Sequence, residues 1–218
     1  DTYRKGQHVE PAYEGWEENA DGSFSFIFGY HNENWDEELD IPVGENNFFS
    51  PGLEDRGQPT HFLPRRNRFT FKVQVPADWG DKELAWTMTV NGVKRIAYAT
   101  LARDYVVDNV VIASETGSLG AGTSSPESRS NIPPVVTVQG DRVGSEIVRN
   151  VRVGETLTLV AHIDDDGLPK PRTTQVRNLP GESNTQYLLR PPSRVTVGKT
   201  NGLFLSWNMY RGEGSVHF

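Results

Sequence analysis

The densest chemistry in the chain is RGQPTHFLPRRNRF, residues 56–69, where Arg56, His61, Arg65, Arg66 and Arg68 fall close together. Guanidinium groups present planar, two-pronged donors that suit a carboxylate, a phosphate or a sulfated sugar. A nearby acidic run, Asp36, Glu37, Glu38 and Asp40, offers the same arginines a partner inside the fold. Charge clusters on β-rich surfaces are more often paired internally than held ready for a ligand. The expectation is therefore scaffolding within a loop that leads into the next strand, with an inter-subunit contact as the functional alternative. His61 has no second histidine at metal-ligand spacing and reads as a packed or capping residue.

Asp164, Asp165 and Asp166 precede Gly167, and three carboxylates can supply oxygen ligands to calcium. The alternating spacing and distal glutamate of an EF-hand are missing. A tight turn whose Asp side chains accept backbone N–H groups is the simpler reading. Trp35 in HNENWDEE and Trp79 in PADWGD sit in polar turns and are the surface candidates for stacking on a glycan. Trp86 and Trp207 lie in alternating stretches and read as core. His8, His31, His61, His162 and His217 show no H-x-x-x-H spacing. No G-x-S-x-G elbow, P-loop or dinucleotide fingerprint is present, and no carboxylate pair stands out. The motifs point away from an enzyme.

The elements that must position these residues carry a period of two. In SFSFIFGY, Phe24, Phe26, Phe28 and Tyr30 alternate with Ser25, Ile27 and Gly29, which predicts a strand with one aromatic face. FTFKVQV repeats the pattern. LAWTMTV and VKRIAYA flank Asn91-Gly92, a strong hairpin signal. Asn19 to Gly22 is a second turn, DYVVDNVVI a closing strand, and Pro76 to Gly80 at most one helical turn. Residues 114–132, rich in Gly, Ser and Thr, read as a linker that cannot bury enough apolar surface to order itself. Beyond it, PPVVTV, ETLTLVAHI, RVTVG and LFLSW predict further strands around a long Pro-rich excursion.

The string NIPPVVTVQGDRV, then VRVGETLTLVAHIDDDGLPKP, then LFLSWNMYRGEGSVHF resembles a bacterial Ig-like or PKD-like surface domain over residues 131–218. PAYEGW, ADGSFSFIFGYHN, DIPVGENN and RGQPTHFLPRR give residues 9–113 a resemblance to a β-rich region of secreted bacterial proteins, which implies export but no chemistry. Domains of the PKD-like type continue past the G-x-G-x-V-x-F strand. The resemblance thus implies a second sandwich lacking its last strands, with Val216 and Phe218 at an edge open to strand addition.

Bulk composition narrows the class. The net charge is −7 from 22 basic and 29 acidic residues, which argues against a nucleic-acid partner. No apolar run reaches the ~18 residues of a membrane span. The absence of cysteine excludes disulfides and thiolate chemistry. A start at Asp1 reads as a processed terminus and agrees with export to the cell surface. The expected architecture is all-β: an extended segment 1–10, a sandwich 11–113, the linker 114–132 and an Ig-like sandwich 133–218. The expected function is a non-catalytic subunit of an extracellular fibre, sheath or surface layer, with Tyr3 and Val9 as N-terminal contacts to the next copy. The alternative is a monomeric glycan-binding adhesion module. Calcium is the only cofactor suggested.

Overall fold

The computed structural model describes residues 4–109, 111–112, 130–139, 141–142, 148–168, 203, 205–213 and 216. The chain divides into two compact units, Asp1–Asp108 with Thr174–Phe218, and Asn109–Thr173. The named elements are nearly all strands. No helix among the described residues is long and apolar enough to cross a membrane.

The first unit holds β1 (Val9–Glu18), β2 (Phe24–Asn32), β3 (Leu39–Asp40), β4 (Asn47–Ser50), β5 (His61–Phe62), β6 (Arg65–Val75), β7 (Leu84–Val90) and β8 (Val93–Ala99). One antiparallel sheet runs β1-β2-β6, another β4-β7-β8, and β3 pairs with β5. The alternating aromatics of β2 dictate the core between the two larger sheets. Phe28 meets Phe49 and Trp86 edge-on, with centroids 5.2 and 5.9 Å apart, while Phe49 stacks on Trp86 at 5.8 Å. Such ring pairs add directional attraction to the burial of large apolar area. The Trp86 indole N–H finds the Asn47 Oδ1 at 2.9 Å, and Asn47 donates to the Ile41 and Pro59 carbonyls at 2.9 and 2.8 Å. The buried amide is thereby matched on each side.

Turn chemistry follows the sequence. Asn91 and Gly92 take φ values of 50° and 77° and join β7 to β8, as a tight primed hairpin turn demands. Pro76 to Trp79 forms only a turn, closed by the Trp79 N–H on the Pro76 carbonyl at 3.0 Å. The segment DYVVDNVVI departs from expectation. Its first part makes a single 3-10 turn, Arg103–Tyr105, then one parallel bridge from Val106 to Trp16. The Tyr13 hydroxyl holds the Thr100 carbonyl at 2.6 Å and the Trp16 indole N–H the Ala102 carbonyl at 2.8 Å. These side-chain bonds fasten the residues just before the segment to β1, and the Val107 N–H on the Trp16 carbonyl at 2.8 Å holds the segment itself.

Residues 61–68, expected as loop, contain β5 and the start of β6. Arg65 and Arg66 pair across to Asn32 and His31. The register then shifts between Phe28 and Tyr30, with Phe69 in the left-handed region at φ 50°. This bulge interrupts the alternation by which the strand would be read.

In the second unit β9 (Val135–Val138) lies between β10 (Asp141–Arg142) and β11 (Ala161–Asp164) in an antiparallel sheet. RVTVG lies outside the described residues. In the part of the first unit near the end of the chain, the described residues of LFLSW form no strand, and Trp207 is exposed rather than core.

Candidate functional site

The outer face of the β1-β2-β6 sheet carries Arg66 and Arg68 of the arginine-rich stretch. A second bulge, between Tyr13 and Gly15, turns Glu14 onto this face. Its side chain is only 6% exposed and lies 2.5 Å from Arg66 Nη2 and 3.9 Å from Arg68 Nη1. β1 and β6 flank β2, so the ion pair must cross the middle strand. It crosses at Gly29, where an added Cβ would fall 2.3 Å from Glu14 Oε1 and 2.5 Å from the Asn67 carbonyl. Arg66 also donates to the Tyr30 carbonyl at 3.0 Å. Farther along the same face, Lys72 of β6 pairs with Glu17 of β1, again over β2.

The remaining members of the arginine-rich stretch also have partners within the chain. Arg65 donates to the Glu33 carbonyl at 2.8 Å and lies over the Trp35 ring, 4.5 Å from its centroid. Arg56 folds back on the Leu53 and Pro51 carbonyls at 3.2 and 3.0 Å. The His61 ring nitrogens lie 2.7 Å from Asp40 Oδ1 and 3.0 Å from Glu38 Oε2. The acidic run therefore faces His61 rather than the arginines. Asp36 takes Arg4 and Glu37 the Gly6 N–H, which ties down the N-terminal approach to β1.

Trp79 is not a surface residue. It is 7% exposed, meets Phe26 edge-on at 5.8 Å and donates its indole N–H to the Lys82 carbonyl at 2.7 Å. The turn at Pro76 folds the ring back over the core, which its polar sequence context conceals. Trp35 is half-buried, with Arg65 over one face. Val9 is fully buried in the core at the start of β1, so it is not available as a contact to another copy. Val216 is exposed; Tyr3, Phe218 and the linker as far as residue 129 lie outside the described residues.

The acidic turn acts on its own backbone. Asp165 accepts the Gly167 N–H at 2.9 Å, and Asp166 accepts those of Leu168 and Ile132 at 2.9 and 2.8 Å. Asp164 ends β11. These are turn and capping bonds, and they engage oxygens that calcium would need.

Residues near the end of the chain belong with the first unit. The Tyr210 carbonyl accepts the Thr60 and His61 N–H groups at 2.9 and 3.1 Å, and its ring lies edge-on to Tyr30 at 6.4 Å. Arg211 grips Asp55 with two bonds of 3.0 and 2.5 Å. The Arg211 guanidinium holds the Asp55 carboxyl below the usual carboxylate range. The domain grouping expected for residues 133–218 separates these partners.

Two further arrangements carry no established motif. At one end of the β1–β2 pair, His8 and Glu10 lie opposite Glu33 and His31. Glu10 pairs with His31 in the ladder, and the Glu33 N–H donates to the His8 carbonyl at 3.0 Å. Burial holds the His31 imidazole below its ordinary pKa, opposed in part by Glu33. Their signal in the sequence is His-x-Glu twice, at 8–10 and 31–33, which period two places on one face. The second arrangement is the outer face of β4-β7-β8, where Phe48, Thr87 and Ile96 line up across the register. Ile96 is 37% and Tyr98 55% exposed.

No protein-family model, curated protein or solved structure matches the chain.

Proposed function

We propose that the protein is a non-catalytic structural subunit exported to the cell surface, where copies associate through heterologous contacts into a fibre, sheath or layer. The observation that carries this reading is the outer face of β8. Lys94, Ile96 and Tyr98 alternate outward on the last strand of its sheet, and the row continues inward through Thr87 and Phe48. Ile96 and Tyr98 stand exposed beside the charged Lys94, while Thr87 is covered; exposed apolar side chains grouped on a sheet edge offer a contact surface. When such a surface meets a different patch on the next copy and the rotation does not close, the product is a filament.

The internal pairing of Arg56, Arg65, Arg66 and Arg68 supports a scaffold over an anion-binding centre, and the burial of Trp79 weakens a glycan platform. Two Ig-like sandwiches joined by the Gly/Ser-rich linker, with the second of PKD-like type, form part of the proposal. A cysteine-free, β-rich chain suits a compartment where folding does not depend on oxidation.

The test is light scattering with negative-stain electron microscopy across a concentration series, on the native chain and on Ile96→Lys/Tyr98→Lys. Assemblies of constant width that the double variant abolishes would support the reading. A 24.4 kDa monomer at every concentration would overturn it.

A further inference from the structure

Two His-x-Glu pairs on adjacent antiparallel strands form a half-buried quartet at one end of the β1-β2-β6 sheet. Val9 and Asn32, the middle residues of the two pairs, are fully buried and face each other in the register. Their burial on the inner side sends His8, Glu10, His31 and Glu33 outward together. The antiparallel register sets each histidine opposite a glutamate, so the two residue types alternate around the square.

The donor atoms are close. One ligand atom each from His8, Glu10 and Glu33 lies within 4.8 Å of the other two. His8 Nε2 is 3.0 Å from Glu10 Oε1, and His31 Nδ1 is 3.6 Å from Glu33 Oε1. Zinc bonds of about 2.0–2.1 Å to nitrogen and oxygen set tetrahedral donors roughly 3.3 Å apart. The two within-pair spacings lie on either side of that value, inside the 4.8 Å bound on the cluster. The ladder end at Val9 and Asn32, extended by the Glu33 N–H on the His8 carbonyl, holds the backbones.

We propose that His8, Glu10 and Glu33 bind a divalent first-row transition metal, zinc being the best fit, with His31, which lies outside that three-residue cluster at 3.6 Å from Glu33, turning in as fourth ligand. Two imidazoles with two carboxylates suit zinc, whereas calcium requires six to eight oxygens. The chain has no thiolate to compete for the ion. Arg95 Nε lies 2.9 Å from Glu10 Oε1. This is the same oxygen that faces His8, so the carboxylate would turn its second oxygen to the metal while Arg95 keeps the first, an orienting role often filled by such outer partners. Arg65 approaches from the far side but is engaged with the Glu33 carbonyl and the Trp35 ring. The site is independent of the apolar face on β8, so its test stands apart from that of assembly.

The experiment is equilibrium dialysis of chelator-stripped full-length protein against Zn2+, with metal content measured by mass spectrometry. Cobalt(II) absorption provides a second reading of the ligand set. The expected result is one zinc per chain, with affinity weakened at least roughly tenfold in His8→Ala and in Glu33→Gln. His162→Ala, an exposed histidine of the second unit, should leave binding unchanged. Circular dichroism of each stripped variant verifies that the strands persist. Absence of stoichiometric zinc, or binding that survives His8→Ala/His31→Ala, would overturn the site and show a network satisfied by its own ion pairs.

Discussion

Glu14 closes on Arg66 through the space that a side chain at position 29 would fill. The carboxylate and guanidinium are 2.5 Å apart, and a Cβ placed on Gly29 collides with the carboxylate and with the Asn67 backbone. Gly29→Ala should therefore lower the unfolding free energy by about 1–3 kcal/mol, the usual cost of overpacking. Urea denaturation of the variant beside Glu14→Ala and the double variant gives the check. If the clash with Glu14 dominates, the two losses will not add.

Asn47 matches three buried groups, the Trp86 indole N–H and the Ile41 and Pro59 carbonyls. Asn47→Ala leaves all three without that partner inside the core. At about 1 kcal/mol per net bond, the expected loss is about 3 kcal/mol. Thermal unfolding would show it as a fall in Tm, and Trp86 fluorescence would report the altered indole environment.

Burial raises the phenol pKa values of Tyr13, Tyr30 and Tyr210 above the ordinary value. The unfolded chain releases these protons near pH ~10, the folded chain later. The protonated phenols thus contribute stability in full below pH ~10, and that contribution is lost as the pH rises through the higher folded values. Tyrosinate absorbance and far-UV circular dichroism should be followed together above pH ~10. The buried three will ionise only with the loss of strand signal. Ionisation of all tyrosines before any change in dichroism would contradict this.

Tyr210 caps the backbone of Thr60 and His61 while its ring rests on Tyr30. Tyr210→Ala should speed amide exchange at residues 60 and 61 by roughly tenfold or more, because loss of the ring frees its segment to open locally. Amides in the β7–β8 hairpin should be little affected. Equal acceleration throughout the unit would show that the contact supports global rather than local stability.

Legibility from sequence follows the regularity of the backbone. The aromatic face of β2, the Asn91-Gly92 hairpin and the burial of Trp86 are readable because each depends on neighbours a few positions away. The bulge at Glu14 and the one beside Phe69 are not, since an extra residue shifts the phase of the alternation. The arginines miss their expected partners for a related reason. Arg4, the Gly6 amide and His61 already take the acidic run, and Glu14 becomes the partner only through its bulge. Trp79 is concealed because a turn of polar residues can deliver a ring to the core. The His-x-Glu quartet depends on register between two strands, which neither strand specifies alone.

The contact between Tyr210 and Asn67 spans 143 residues of sequence, and this separation has a consequence during synthesis. At ~5–20 residues per second, roughly 7–30 s pass between the addition of the two residues. Through that interval the amides of Thr60 and His61 and the ring of Tyr30 must be left to water or to some other partner. A nascent chain thus holds a partly uncovered surface beside β5 well after its strands can pair, and a chaperone that recognises such surfaces would have its longest opportunity there.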